Sequence, residues 1–261
     1  MCNKLRWAVL AVGLVSFSAW AQPSLGTATS YFDRDDNMLA TPTLPNSTAM
    51  FNAFIAALSS YGIENVEGIN TDPPTSGFDP QLTFVGTGIT ANTEVAPFQP
   101  TTNAVQPPFA GISIGSQALV ELDALALFDP QAPQLPPGDT IFTFNQHITA
   151  FGVFVIQGGD GPVNNNPTTF RLIDTASNQT VDQVLVSPLG PNWGFNNVFF
   201  LGVTDTVPFD RVQIIETGDA TDGMLYDNIV AGFAVPEPSS LVLAMLVGAC
   251  AVCRPTRFRC R

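Results

Sequence analysis

The chain holds one histidine, His147, so a Ser-His-Asp relay or an imidazole-ligated metal site would depend on that single side chain. No Gly-x-Ser-x-Gly nucleophile elbow accompanies it, and a turn or surface position is the expected role. The 22 acidic residues offer many pairs for general acid and base catalysis of glycoside hydrolysis, which needs two carboxyl groups about 5–9 Å apart. Acids this numerous also meet by coincidence. Gly158-Gly159-Asp160-Gly161 lacks the Lys-Ser/Thr and the helix that follow a phosphate-binding loop and reads as a turn. Asp219, Asp222 and Gly223 lack full EF-hand spacing and read as a hairpin turn. Cys250-x-x-Cys253 has the spacing of a redox pair, but it lies in an apolar C-terminal run without a βαβ context.

Asp227 is the most informative acid. In a strand over 224–233 it shares a face with Leu225 and Ile229, and a carboxylate turned toward an apolar core needs a partner to offset its desolvation. It either joins a metal site or accepts backbone N–H groups at a turn. Among the aromatics, Trp193 and Tyr226 are candidates for stacking on a sugar, which requires an exposed ring. The alternative for Trp193 is a loop anchor packed on the edge of the fold.

The elements that must position these groups are mostly strands. Helical spacing of Phe51, Phe54, Ile55 and Leu58, a cap at Ser47 or Thr48 and a stop at Gly62 predict one helix over 48–61. Residues 22–45 are polar and turn-rich, with Asp33-Arg34-Asp35-Asp36 expected as a solvated loop. A strand is expected over 82–89, flanked by loops over 71–80 and 92–108. Strands are then expected over 111–116, 118–128, 140–145, 148–157, 168–174, 181–187, 197–203, 210–216 and 224–233, each bounded by Gly, Pro, Asn or Asp. The run Phe151-Gly152-Val153-Phe154-Val155-Ile156 is apolar at both parities and should be covered on both faces. Many short strands and one helix predict an all-β fold, an antiparallel two-sheet sandwich of jelly-roll type. No fixed-period repeat divides residues 22–234, which are treated as one domain.

Both ends read as targeting segments. Lys4 and Arg6, the mostly apolar stretch Trp7 to Trp20 and Ala19-Trp20-Ala21 form a secretory signal over 1–21, with the mature chain beginning at Gln22. At the other end come Val235-Pro236-Glu237-Pro238-Ser239-Ser240, the apolar run 241–253, then Arg254, Arg257, Arg259 and Arg261. Prolines end the preceding strand, the apolar run can enter a bilayer as a short transmembrane helix, and the arginines of 254–261 stay on the cytoplasmic side as a stop-transfer signal. All four cysteines, Cys2, Cys250, Cys253 and Cys260, lie in these end segments, so the domain between them folds without disulfides. Residues 22–252 carry three arginines against all 22 acids, a net charge of −19. That field repels phosphates and excludes nucleic acid as a partner.

The order of PEP motif, apolar helix and Arg cluster over 235–261 resembles the PEP-CTERM sorting signal of bacterial exopolysaccharide-associated proteins. The resemblance implies an inner-membrane intermediate, an exosortase-type membrane protease as partner, and delivery to the cell surface or extracellular matrix. More loosely, the helix, Asn65-Val66-Glu67-Gly68, Ala150-Phe151-Gly152-Val153-Phe154, Phe199-Phe200-Leu201-Gly202-Val203 and Tyr226-Asp227-Asn228-Ile229 are similar to what such proteins carry. The layout is also similar to jelly-roll carbohydrate-binding modules, in which a structural calcium commonly joins an early acid to an Asp of the last strand. Glu67 and Asp227 would be the matching pair. Together these imply a non-catalytic structural or exopolysaccharide-binding module. The alternative is a secreted glycan hydrolase using paired carboxylates.

Overall fold

The computed structural model describes residues 26–35, 44–69, 80–93, 96–98, 118–120, 140–156, 168–185, 198–216 and 225–236. The expected signal segment, the tail from Glu237 onward, all four cysteines, Trp193, the strand at 111–116, the glycine turn at 158–161 and the Asp219–Asp222 loop lie outside these residues.

The described chain is all-β with one helix. In order it runs β1 (Thr29–Asp35), α1 (Pro45–Ala56), β2 (Leu58–Glu64), β3 (Gln81–Phe84), β4 (Ile89–Thr93), β5 (Ala96–Phe98), β6 (Ala118–Val120), β7 (Thr140–Ile156), β8 (Thr168–Asp174), β9 (Gln179–Leu185), β10 (Val198–Glu216) and β11 (Leu225–Ala234). Every strand pair is antiparallel.

Two long strands organise the sheet. The C-terminal half of β7 and the N-terminal half of β10 pair with each other and are flanked by β11 and β1. Their other halves also pair, and there the neighbours are β4 and β8. Between the two regions the ladder slips twice: Thr204 faces Ala150, Phe209 faces Ile148, and Arg211 faces Thr143. Residues 205–208 of β10 therefore have only Thr149 opposite them, and residues 144–147 of β7 have only Asp210. Opposed bulges bend both strands, and Pro208, which has no N–H to donate, falls within one of them.

The bend folds the sheet over its own core, giving a sandwich-like body. Phe151, beyond the bend, packs against Phe142 and Phe144, before it, with ring centroids 5.1 and 6.0 Å apart. It also meets Phe170 of β8 at 5.6 Å. Phe151, Val153 and Val155 belong to this inner core, whereas Ala150, Phe154 and Ile156 join a second cluster beneath α1. That is why a strand with no polar parity forms here: one face meets the folded-over sheet and the other meets the helix.

Several elements differ from the sequence reading. The helix expected over 48–61 is Pro45–Ala56, and the following residues are β2. Pro45 suits the first helical position, and Gly62 lies against the backbone of Phe84, where a strand approaches more closely than a side chain would permit. Phe51, Phe54 and Ile55 face the sheet as expected, and Leu58 joins the same cluster from the strand. The strand expected over 82–89 is the β3–β4 hairpin, turning at residues 85–88 with Gly86 and Gly88 at φ +85° and +73°. The pairs of strands expected at 140–145 with 148–157, and at 197–203 with 210–216, are the single strands β7 and β10. The polar segment 29–35, expected as loop, is β1, paired along β10 from Thr29↔Thr204 to Asp35↔Val198.

Candidate functional site

The bend brings His147 of β7, Asp174 at the end of β8 and Asp210 of β10 together. They are the one group of three or more potential metal-ligating side chains among the described residues, with one ligand atom from each lying within 4.8 Å of the others. His147 Nε2 lies 3.2 Å from Asp174 Oδ1, and the two side chains are 48% and 28% exposed. The lapse in the ladder at residues 144–147 and 210 leaves His147 and Asp210 free of the pleat's alternation.

The β8–β9 turn holds both carboxylates. Asp174 Oδ1 accepts the N–H of Ala176 at 3.1 Å, and its Oδ2 accepts the hydroxyl of Ser177 at 2.6 Å. Asp210 accepts the N–H and the hydroxyl of Thr175 at 2.7 and 2.5 Å. Asn178 closes the turn at φ +53°, a conformation that Asn tolerates better than most residues. The Ser177 hydroxyl, and after it His147, hold the Asp174 carboxyl below the usual carboxylate range.

This arrangement differs from a nucleophile relay. In a Ser-His-Asp triad the hydroxyl donates to the imidazole, whereas Ser177 donates to Asp174 and stabilises its anion. What the group can do is bind: it presents one nitrogen and two anionic oxygens to solvent. Sequence reasoning identified His147 as a surface or turn residue but passed over its partners. The Asp174-x-x-Ser177 spacing was a turn signal; nothing in the sequence pointed to Asp210, which the bulge recruits.

Asp227 is 1% exposed, and its Oδ1 accepts the N–H of Asn228 at 2.6 Å. Its expected face is corrected by a bulge: Asp227 faces Phe154 and Val230 faces Gly152, with Asn228 between them at φ +44°. Leu225 consequently lies in the cluster under the helix and Ile229 in the inner core. Glu67 is exposed, and neither residue of the expected calcium pair belongs to the His147 group. Glu64, three residues before Glu67, is the acid that ties its strand to the next, accepting the N–H groups of Val66 and Thr83 at 2.9 and 3.0 Å.

Tyr226 is corrected as a sugar-stacking residue. It is fully buried, and its hydroxyl donates to Thr140 Oγ1 at 3.0 Å, so its ring is a core element.

A further acid, unnoticed in the sequence, lies in the first bulge of β10. Asp205 is 3% exposed; its Oδ1 accepts the N–H of Val207 at 2.9 Å, while its Oδ2 has no hydrogen-bond partner. Burial, above all, pushes its carboxyl up from the ordinary range. No protein-family model, curated protein or solved structure matches this chain.

Proposed function

We propose that the chain is an exported, non-catalytic structural or exopolysaccharide-binding module, delivered to the cell surface or extracellular matrix through its C-terminal PEP motif. The observation that carries the proposal is where the last described strand ends. The last strand, β11, ends at Ala234, and Val235 makes one further backbone hydrogen bond, to Ala57 O at 2.9 Å, while 51% exposed. Val235 and Pro236 thus open the motif at the surface directly after the last described strand, which suits recognition by an exosortase-type membrane protease.

The body supports the same reading. Its sandwich-like core forms around phenylalanines without a cysteine in the described residues, so its folding needs no disulfide in any compartment. A jelly-roll-like arrangement of the two sheet regions, the signal segment over 1–21, the inner-membrane intermediate held by 241–253 and Arg254, Arg257, Arg259 and Arg261, and a structural calcium held by Glu67 and Asp227 all belong to this proposal.

Two measurements test it. Intact-mass analysis of the native protein should show a chain ending near Pro238, and a mature surface protein that keeps Arg261 would count against processing. A glycan-binding screen should return an exopolysaccharide ligand without turnover. Release of sugar from that ligand would instead favour the hydrolase reading.

A further inference from the structure

The bend in the sheet offers a site that the export reading leaves unused. We propose that His147, Asp174 and Asp210 bind a divalent transition-metal ion of the zinc class, which clasps β7, β8 and β10 where the ladder between them lapses.

Geometry comes first. A tetrahedral ion with bonds of ~2.0–2.1 Å to imidazole nitrogen and carboxylate oxygen holds its ligand atoms about 3.3 Å apart. The 3.2 Å between His147 Nε2 and Asp174 Oδ1 already matches one such edge. All three ligand atoms lie within 4.8 Å of one another, so closing the other edges takes only small side-chain rotations, which solvent-facing groups can make.

The donor set then selects the metal. Calcium and magnesium prefer oxygen throughout, whereas one imidazole with two carboxylates suits zinc and its transition-metal neighbours. Three protein ligands leave positions for water. The group also differs from an ordinary patch of acids in how it is held. Each carboxylate is held by donors of one turn, Ser177 and Ala176 for Asp174 and Thr175 for Asp210, the kind of outer support that metal-binding carboxylates receive. Each oxygen keeps a lone pair for the ion.

The test uses the full chain with its cysteines alkylated, so that Cys2, Cys250, Cys253 and Cys260 take no metal. Zinc is titrated by calorimetry, and the imidazole resonances are followed by NMR; as the only histidine, His147 gives an unambiguous signal. One zinc per chain should bind at about pH 7.5 and shift those resonances, and the same titration with calcium should leave them unmoved. His147→Gln, at an exposed position, should abolish binding, and Asp210→Asn should weaken it about tenfold or more. Asp210 makes no part of the His147–Asp174 contact, so its effect separates a metal site from a simple ion pair. The proposal is overturned if zinc at about 1 mM leaves the imidazole resonances in place, or if affinity is the same in His147→Gln or in folded Asp210→Asn.

Discussion

The carboxylate of Asp35, at the end of β1, accepts both the backbone N–H and the hydroxyl of Ser47, at 2.8 and 2.5 Å, in the first turn of α1. It also accepts the N–H of Asn46 at 3.0 Å. Leu44 precedes the helix without a side-chain cap, so an acid from a strand supplies the capping oxygen and the negative charge that a helix N-terminus favours. The contact is buried and fixes the helix over the sheet at one end. Asp35→Ala should therefore cost about 2 kcal/mol, at the upper end for a cap because the donors left behind are buried. Urea unfolding followed by circular dichroism measures this, and a loss below about 0.5 kcal/mol would show that the cap does not hold the helix in place.

Gly152 and Gly202 face each other across β7 and β10, and together they make a depression in the face beneath α1. A Cβ on Gly152 would lie 2.7 Å from Phe200 Cζ and 2.9 Å from Phe54 Cε1; one on Gly202 would lie 2.9 Å from Phe200 Cε1. Phe54 reaches from the helix into this depression and packs on Phe200 with ring centroids 5.3 Å apart. Gly152→Ala should destabilise by about 1–3 kcal/mol through overpacking. Adding Phe54→Leu to that variant should return part of the loss, because the smaller side chain yields space. A double variant whose loss equals the sum of the two single losses would refute the steric account.

These two pairs show what the sequence could and could not disclose. Composition, strand spacing and the apolar run at 151–156 revealed the all-β class and the doubly covered strand, because burial on both faces leaves no polar parity to misread. The helical stripe of Phe51, Phe54 and Ile55 was equally plain. The helix end was not, since Leu58–Glu64 continues the apolar pattern and only pairing with β11 makes it a strand. Asp35 read as solvent-facing because its partner is twelve residues away on another element. The candidate site was the least legible part. His147 stood out by being alone, but its meeting with Asp210 depends on two bulges, and a bulge changes side-chain phase without leaving a period in the sequence. The same effect misplaced Ile229 relative to Asp227.

The Asp174 carboxyl is held below its usual range chiefly by the Ser177 hydroxyl, then by His147. A depressed carboxyl contributes stability that is fully present above the unfolded value of ~3.9 and is lost as pH falls through the lower folded value. Ser177→Ala should leave a stability deficit that is constant above about pH 5 and disappears in the acid range below the unfolded value. Urea midpoints across that range give the profile. A deficit that persists unchanged in acid would assign the role of Ser177 to the turn alone.

Asp205 has the opposite sign. Its side chain lies against Gly26, where no Cβ could fit, and its Oδ2 is buried without a hydrogen-bond partner. Desolvation raises its carboxyl above the unfolded value, with the charge of Asp182 adding to the effect. A raised folded value means that the anion weakens the fold at neutral pH, and that this penalty is relieved as pH falls through the folded value toward ~3.9. Asp205→Asn keeps an acceptor for the N–H of Val207 and removes the buried charge. It should stabilise the protein by about 1 kcal/mol at neutral pH, and the gain should shrink as the medium is acidified and the natural carboxyl takes up its proton. Thermal melts of both proteins at neutral and mildly acidic pH provide the comparison. If Asp205→Asn instead melts lower at neutral pH, the buried charge is not the net cost assigned to it.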